Sequence, residues 1–329
     1  MMDKRARVEA ALRREAVDRI PFSLWRHYHR QDRDPEALAA ATLALAHDYD
    51  LDLVKLTPSG LYAVEDWAGN HIVYPGTDHE PPTLAQPAVE RPGDWRRLSI
   101  LQPSSGALGR ELRAIRLVAG GLLDGAPLLM TIFSPLTLAY KLAGKAAIEH
   151  LREHPRDLHA GLETMAATTA LFVLAALEAG ASGFFFATQL AGRGWLSRQE
   201  YEEFGVRYDL AVLEAAAAAH AGILVLHLHG QEVFFDLADR YPIHAVSWHN
   251  WETQPSLASA RQMCGRAFLT GLDRDLLAQG SVAAVQEQVR QAVVQAEERG
   301  LILSPSCVIP TDAPDANLRA VGELLARWP

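Results

Sequence analysis

Short, continuous apolar runs alternate with longer helix-forming stretches along this chain, and that alternation constrains the fold more than any other feature. The runs are apolar throughout instead of at every second position, which is typical of parallel strands buried on both faces. Eight strand–helix units predict an α/β fold with a single closed (β/α)8 barrel, the TIM barrel, over residues 1–329. The predicted strands span residues 20–25, 52–57, 127–133, 182–187, 222–228, 244–248, 267–271 and 301–304.

Helix signals lie between these runs. Ser197 and Glu200 are spaced as a capping box, in which each side chain accepts from the backbone N–H of the other residue. Residues 74–103 are rich in proline and polar residues and predict an insertion between the second and third strands. The insertion is either a lid over one end of the barrel or a plain surface excursion. The predicted helices span residues 35–48, 110–118, 146–177, 197–219, 232–240, 255–264 and 282–299.

Composition excludes several classes of partner. The net charge is −9, from 40 acidic and 31 basic residues, and no long basic run offers a surface for nucleic acid or an anionic membrane. The longest apolar stretch, residues 168–181, contains Glu178 and is shorter than the roughly 18 residues of a membrane span. The two cysteines, Cys264 and Cys307, indicate a reducing, cytoplasmic compartment. We therefore expect a cytoplasmic protein with a small-molecule substrate, acting alone or as a homodimer.

Polar and titratable residues follow most of the predicted strands at their carboxyl ends, where barrels of this kind carry their active sites. Because parallel strands end on the same side of a barrel, we expect these side chains to open onto a shared mouth. Tyr140, at the start of the helix that follows the third strand, either reaches this mouth or packs as an ordinary helix residue. The candidates for substrate binding are Arg26, His27, Arg30, Lys55, Gln189, His249 and Asp273, and those for catalysis are His227, His229, Cys307 and Tyr140.

His227 and His229 form the sharpest pair among these candidates. Two residues apart on one strand, they face the same side and their imidazoles can share a metal ion. Cys307, after the last strand, adds a thiolate, and two imidazoles with one thiolate leave a fourth tetrahedral position open, as in catalytic zinc sites. The alternative is that the histidines bond backbone groups at a strand end and that Cys307 is a small buried residue.

Arg26 and Arg30, together with His27 and His29, form a cationic cluster directly after the first strand. Arginines at this position can bind substrate carboxylates through bidentate hydrogen bonds, or they are the solvated charges of a surface helix start. The chain has no phosphate-binding glycine motif after a strand and no nucleophile-elbow serine, which argues against nucleotide enzymes and α/β-hydrolases.

Several segments of the chain resemble the uroporphyrinogen decarboxylase superfamily. They are residues 18–21, 52–55, 134–140 and, most closely, 302–310, and they occur in the same order as in that superfamily. Its members include decarboxylases of haem synthesis and zinc-dependent methyltransferases that act on methylcobalamin and coenzyme M. The resemblance implies a barrel enzyme with its site at the strand ends.

The resemblance is closer to the methyltransferase branch. The methyltransferases carry His-x-Cys after strand five and a cysteine after strand eight, all zinc ligands, and these positions correspond to His227, His229 and Cys307. The decarboxylases carry an arginine-rich motif after strand one, of which residues 25–30 keep only two arginines. Their acidic residue after strand two is replaced within residues 57–60, and their late histidine falls at the position of Cys307.

The resemblance thus implies a zinc-dependent methyltransferase that moves a methyl group from a corrinoid donor such as a methylcobamide to a thiol-type acceptor. A corrinoid protein is then an expected partner. One alternative is a uroporphyrinogen decarboxylase, which converts uroporphyrinogen III to coproporphyrinogen III without a cofactor. A third reading is a non-catalytic barrel that binds a corrinoid or a tetrapyrrole.

Overall fold

The computed structural model describes residues 2–328, and its centre is a curled sheet of parallel strands surrounded by helices. In chain order the strands are β1 (Val54–Leu56), β2 (His71–Val73), β3 (Thr83–Gln86), β4 (Leu128–Phe133), β5 (Gly183–Thr188), β6 (Ile223–Leu228), β7 (Ala245–Trp248), β8 (Ala267–Leu272) and β9 (Leu301–Pro305). Seven of them form the central sheet in the order β1-β4-β5-β6-β7-β8-β9, and every neighbouring pair in it is parallel. All seven correspond to predicted strands, and all are buried along their whole length.

Helices separate the strands and cover the outside of the sheet. They are α1 (Lys4–Leu12), α2 (Pro35–Asp48), α3 (Gly106–Gly121), α4 (Pro135–Ala143), α5 (Ala146–Glu153), α6 (Pro155–Glu178), α7 (Arg198–Tyr201), α8 (Arg207–Ala218), α9 (Leu237–Arg240), α10 (Leu257–Met263), α11 (Arg274–Gln279), α12 (Val282–Gln295) and α13 (Asp315–Leu325).

The first predicted strand, residues 20–25, is reduced to a single bridge between Phe22 and Leu303 of β9. The backbone N–H of Ser23 donates to the Leu303 carbonyl at 2.9 Å, and the N–H of Asp52 donates to the Phe22 carbonyl at 3.0 Å. Pro21 has no N–H to donate, so a regular ladder cannot extend through it. An eighth extended strand is therefore not confirmed, although this segment lies against β9 and the residues that lead into β1.

Two predicted helices are divided in the structure. The stretch 146–177 is two helices because Pro155 starts α6 at a position where its missing N–H is harmless. The stretch 197–219 contains a π-helical turn at Glu202–Val206 between α7 and α8. The capping box is confirmed, since Ser197 accepts from the Glu200 N–H and Glu200 accepts from the Ser197 N–H. The predicted helix 232–240 is wrong over its first five residues, because only α9 is helical there.

Helix α6 is, by length and composition, apolar enough to cross a membrane, and it is the one helix of residues 2–328 that meets this test. Half of its most apolar stretch of 18 residues is buried inside the protein. Among the residues it buries are Phe172 and Val173, which belong to the hydrophobic core. This burial is that of a core helix, as expected for residues 168–181.

The insertion at 74–103 contributes β3, which pairs with β2 in a small antiparallel sheet. Two contacts connect the insertion to the carboxyl-terminal side of the main sheet. Asp78 pairs with Arg30 at 3.1 Å, and His79 Nδ1 lies 2.7 Å from Thr311 Oγ1. These contacts place residues 78 and 79 beside the segments that follow the bridge and β9.

The opposite end of the sheet is held by a buried carboxylate. Asp52, which is 0% exposed, lies just before β1 and accepts from Arg7 of α1 at 2.6 Å and from Arg19 at 2.5 Å. The same carboxylate accepts from the Phe22 N–H at 3.1 Å. Asp52 therefore joins the first helix, the bridge segment and β1 through a single side chain.

Candidate metal centre

Three histidines and one cysteine meet at the carboxyl ends of neighbouring strands. His227 is the fifth residue of β6, His229 follows that strand, His249 follows β7, and Cys307 lies two residues past β9. One ligand atom from each of the four lies within 4.8 Å of the other three. The grouping of His227, His229 and Cys307 agrees with the arrangement predicted from the sequence.

His249, expected only as a substrate contact, lies in this cluster as a fourth ligand candidate. Strands β6 and β7 pair His227 with Ser247, so two residues further along both strands His229 lies beside His249. Their ring centroids are 4.8 Å apart. The register of β6 and β7 would have identified His249 as a ligand candidate. When two parallel strands pair, the residues that directly follow them lie side by side.

Hydrogen bonds hold the rings from outside the cluster. His227 Nδ1 lies 3.1 Å from Ser247 Oγ, and His249 Nδ1 lies 3.2 Å from Glu252 Oε2. This arrangement leaves the Nε2 atom of each ring free to face a ligand. His249 Nε2 is buried and has no hydrogen-bond partner among the described residues, a condition that a metal ion would relieve.

Cys307 and His227 have the protonation states that a metal requires, whereas contacts with Cys307 and Glu252 outweigh burial and raise the pKa of His249. Burial alone would raise the pKa of the Cys307 thiol, but the contacts with His227, His229 and His249 outweigh it and hold that pKa well below its usual value. Burial lowers the pKa of His227 to about 4. A thiolate and neutral imidazoles are the ligand forms that bind zinc, and three nitrogens with one sulfur suit its tetrahedral preference. The four residues therefore fit a zinc ion.

We expect Ser247→Ala to weaken zinc binding about 10- to 100-fold, because His227 would lose the partner that orients its ring. Competition for zinc with a chromophoric chelator measures this effect. Ser304→Ala is the matched control, since Ser304 is also a buried strand serine but has no contact with the cluster. Equal zinc affinity of the two variants would show that Ser247 does not orient the ligand.

A cavity of about 240 Å³ opens beside the cluster, with His227, His229 and Cys307 in its wall. This volume lies below the range of about 300–1,000 Å³ that is usual for sites of drug-sized ligands, so the cavity suits a small molecule. Three predicted substrate-binding residues line it, and four further polar residues do as well. The seven are His27, Lys55, Gln189, Thr57, Thr131, Lys141 and Arg274.

Two of the lining residues are lysines, of which Lys55 is buried and Lys141 is half-buried. Lys55 Nζ donates to Thr57 Oγ1 at 3.0 Å and lies 4.6 Å from the centroid of the Phe185 ring. Lys141 Nζ lies 4.4 Å from the centroid of the Phe133 ring. Burial lowers the pKa of Lys55 to about 7 and that of Lys141 to about 8, and among the described residues no carboxylate counters this effect at either ammonium. Lysines that are buried without a carboxylate indicate a site for an anionic group.

Lys141 was missed by sequence reasoning, which selected its neighbour Tyr140. Tyr140 does not line the cavity, and its ring packs edge-on against Trp195 with the centroids 5.2 Å apart. The rotation of α4 about its axis determines which of the two side chains faces the cavity. That rotation cannot be predicted from the sequence of a short helix with apolar residues on most sides. Asp273 also lies outside the cavity lining, where it caps α11 by accepting from the Asp275 N–H at 2.8 Å.

Arg26 and Arg30 do not line the cavity either. The Arg26 guanidinium lies over the Tyr28 ring, 5.5 Å from its centroid, and Arg30 is exposed beside Asp78 of the insertion. The expectation of one shared mouth is thus met by the metal candidates but not by these arginines. Beyond the bridge the chain leaves the sheet, so strand alternation no longer directs its side chains inward.

Comparison with known proteins identifies the family and agrees with the fold. The model of the family described as "Uroporphyrinogen decarboxylase (URO-D)" matches residues 3–328. A uroporphyrinogen decarboxylase of Tolumonas auensis is 26% identical over 87% of this chain and 85% of its own length. The methylcobamide:CoM methyltransferase MtbA of Methanosarcina acetivorans is 23% identical over 96% of both chains. A solved structure, a methyltransferase from Methanosarcina mazei, superposes with a TM-score of 0.85 at 19% identity and covers 99% of both chains.

Proposed function

Because this chain belongs to the uroporphyrinogen decarboxylase family, we propose that it is a zinc-dependent methyltransferase acting on a small, anionic thiol. The observation that carries the proposal is the cluster of His227, His229, His249 and Cys307 at the wall of a small cavity. Similarity over nearly the full length to a methylcobamide:CoM methyltransferase supports a methylated corrinoid as the donor, either free or carried by a corrinoid protein.

The four cluster residues would hold the zinc ion. When bound, zinc would keep the thiol of the acceptor in its thiolate form near neutral pH. A thiol ligand needs room beside four protein ligands, and we expect His249 to give way. Its ring is held by Glu252, whose side chain is 30% exposed, whereas His227 is held by the buried Ser247.

The remaining cavity residues would hold the acceptor and exclude water. Lys55 and Lys141 supply ammonium groups for the anionic end of the acceptor, while the rings of Phe133 and Phe185 lie against these ammonium groups and limit solvent access. The acceptor sulfur then attacks the methyl carbon of the donor. A sulfur–carbon bond forms as the cobalt–carbon bond breaks, the electron pair of that bond stays on cobalt, and the thiol proton has passed to solvent.

Two structural proposals accompany this function. We infer that residues 20–25 complete a closed barrel in place of a regular eighth strand, since Phe22 lies between β9 and the start of β1 through its bridge and its carbonyl. We also infer a reducing, cytoplasmic setting, which would keep Cys264 and Cys307 as the free thiols that they are here.

The alternative is decarboxylation of uroporphyrinogen, the activity in the name of the Tolumonas relative. Residues 25–30 argue against it, because they keep two arginines of the arginine-rich motif of the decarboxylases but not its pattern. The positions of Arg26 and Arg30 outside the cavity lining argue in the same direction.

The direct test is anaerobic incubation of zinc-loaded protein with methylcobalamin and coenzyme M. We expect the absorbance of methylcobalamin to change to that of cob(I)alamin and a methyl thioether to appear by mass spectrometry. A parallel arm replaces both substrates by uroporphyrinogen III. Formation of coproporphyrinogen without methyl transfer would contradict the proposal, and binding of methylcobalamin without turnover in any arm would favour a non-catalytic corrinoid-binding protein.

We expect Lys141→Met to raise the KM for an anionic thiol roughly 10- to 100-fold, because a charge-assisted contact of about 1.5–3 kcal/mol is lost. The KM for the neutral thiol 2-mercaptoethanol should change little. Lys145→Met is the matched control, since Lys145 is exposed one turn further along the chain. An equal rise in KM for both thiols would mean that Lys141 does not bind the anionic group.

A further inference from the structure

A second group of ligand-type side chains lies apart from the cysteine-containing cluster. His27, His29 and Asp32 follow the bridge segment within six residues of chain, and one ligand atom from each lies within 4.8 Å of the other two. The two imidazole rings stack with their centroids 5.0 Å apart. His27 also lines the cavity, so this group borders the same space as Cys307.

Two of its three members carry polar atoms that have no hydrogen-bond partner within residues 2–328. Asp32 is 1% exposed, and its Oδ1 atom is buried without a hydrogen bond, while Oδ2 makes only a long contact of 3.4 Å with His29 Nδ1. His27 Nδ1 is likewise buried without a partner. Buried acceptors of this kind are costly unless something satisfies them, and two of them in one three-residue group point to a missing ligand.

The surrounding charges favour a cation. Asp32 lies within electrostatic range of two further carboxylates, Glu65 and the fully buried Glu111. Arg110 pairs with both of these, at 2.8 and 3.0 Å, and has no ion pair with Asp32. Three carboxylates thus lie near a single guanidinium, and Asp32 is the one that makes no contact with it. A bound cation would supply the missing positive charge.

We propose that His27, His29 and Asp32 form a second metal site, for a divalent transition-metal ion. Two imidazoles and one carboxylate, without sulfur, suit Fe²⁺, Mn²⁺ or Co²⁺ and leave positions open for water or substrate. The ion would lie beside the cavity through His27, next to the cysteine-containing centre. This site does not depend on the proposed methyltransferase activity.

Cobalt titration tests the site, because Co²⁺ reports on its ligands. Chelator-treated protein is titrated with Co²⁺ and followed by absorbance and by metal content after desalting. We expect two ions per chain, one with an intense near-ultraviolet thiolate charge-transfer band and one without. Asp32→Asn and His29→Gln should each bind one ion and keep the band, whereas Cys307→Ser should bind one ion and lose it.

Asp48→Asn serves as the control for the loss of one carboxylate in the same region, since Asp48 is an exposed residue outside the group, and it should bind two ions. A wild-type protein that binds a single ion, lost in Cys307→Ser, would overturn the second site. A single ion without the thiolate band, lost in Asp32→Asn, would support the second site and count against the zinc centre. If circular dichroism shows Asp32→Asn to be unfolded, His29→Gln decides, because it leaves the buried carboxylate in place.

Discussion

Replacing Cys307 by Ser is expected to remove zinc from the cysteine-containing centre and to abolish methyl transfer, while the fold remains. Cys307 supplies the thiolate of that centre, whereas a serine hydroxyl stays protonated and binds zinc poorly. Zinc sites of this kind bind with about 10–16 kcal/mol, so one ligand of four is worth on the order of 3–4 kcal/mol, or roughly 10²–10³-fold in affinity. Metal content by mass spectrometry and the cob(I)alamin assay measure the two losses.

Cys264→Ser is the matched control for this variant. Cys264 is the other cysteine of the chain, it is buried at the end of α10, and it has no contact with the cluster. The control should keep its zinc and its rate of methyl transfer. Stoichiometric zinc and full activity in Cys307→Ser would rule out the proposed centre.

Asp52→Asn is expected to lower the free energy of unfolding by about 3–5 kcal/mol. The substitution removes the buried counterion that Arg7 and Arg19 share, and breaking a buried ion pair from one side costs up to about this much. Arg7 keeps its second contact, with Asp18 at 2.7 Å, which places the loss toward the lower end of this range. Urea denaturation, followed by tryptophan fluorescence and by far-ultraviolet circular dichroism, measures the change.

Asp50→Asn is its control, because Asp50 is also an acidic partner of Arg19 but has a side chain that is 76% exposed. An exposed pair of this kind is worth about 0–1 kcal/mol. Asparagine also tolerates the left-handed backbone at this position, where φ is 49°. Similar losses of stability in the two variants would mean that burial of the Asp52 carboxylate carries no special weight.

The sheet was predictable because its strands are continuous apolar runs, the sequence pattern that is typical of parallel strands buried on both faces. The metal candidates His227, His229 and Cys307 were predictable for a related reason: each lies on a strand or at its end, where alternation and the common direction of the strands determine which side chains meet.

Other features depend on relations between elements. The pairing of β6 with β7 brings His249 to His229, the rotation of α4 directs Lys141 instead of Tyr140 to the cavity, and proline chemistry interrupts the first strand at Pro21. None of these follows from the composition of a single segment. Arg26 lies outside the cavity lining because the chain has left the sheet before this residue, so strand alternation no longer directs its side chain.

The bridge between Phe22 and Leu303 joins the first part of the sheet to the last, and this has a consequence for how the protein is made. A ribosome delivers His227 and His229 well before it delivers β9 and Cys307. Until then the open edges of the sheet are available to other strands, which is the situation that chaperones protect. Metal loading at the cysteine-containing centre would therefore wait until Cys307 has been synthesised, and a chain that ends before Cys307 would carry its histidines without the thiolate. Zinc uptake would thus distinguish molecules that include Cys307 from shorter ones.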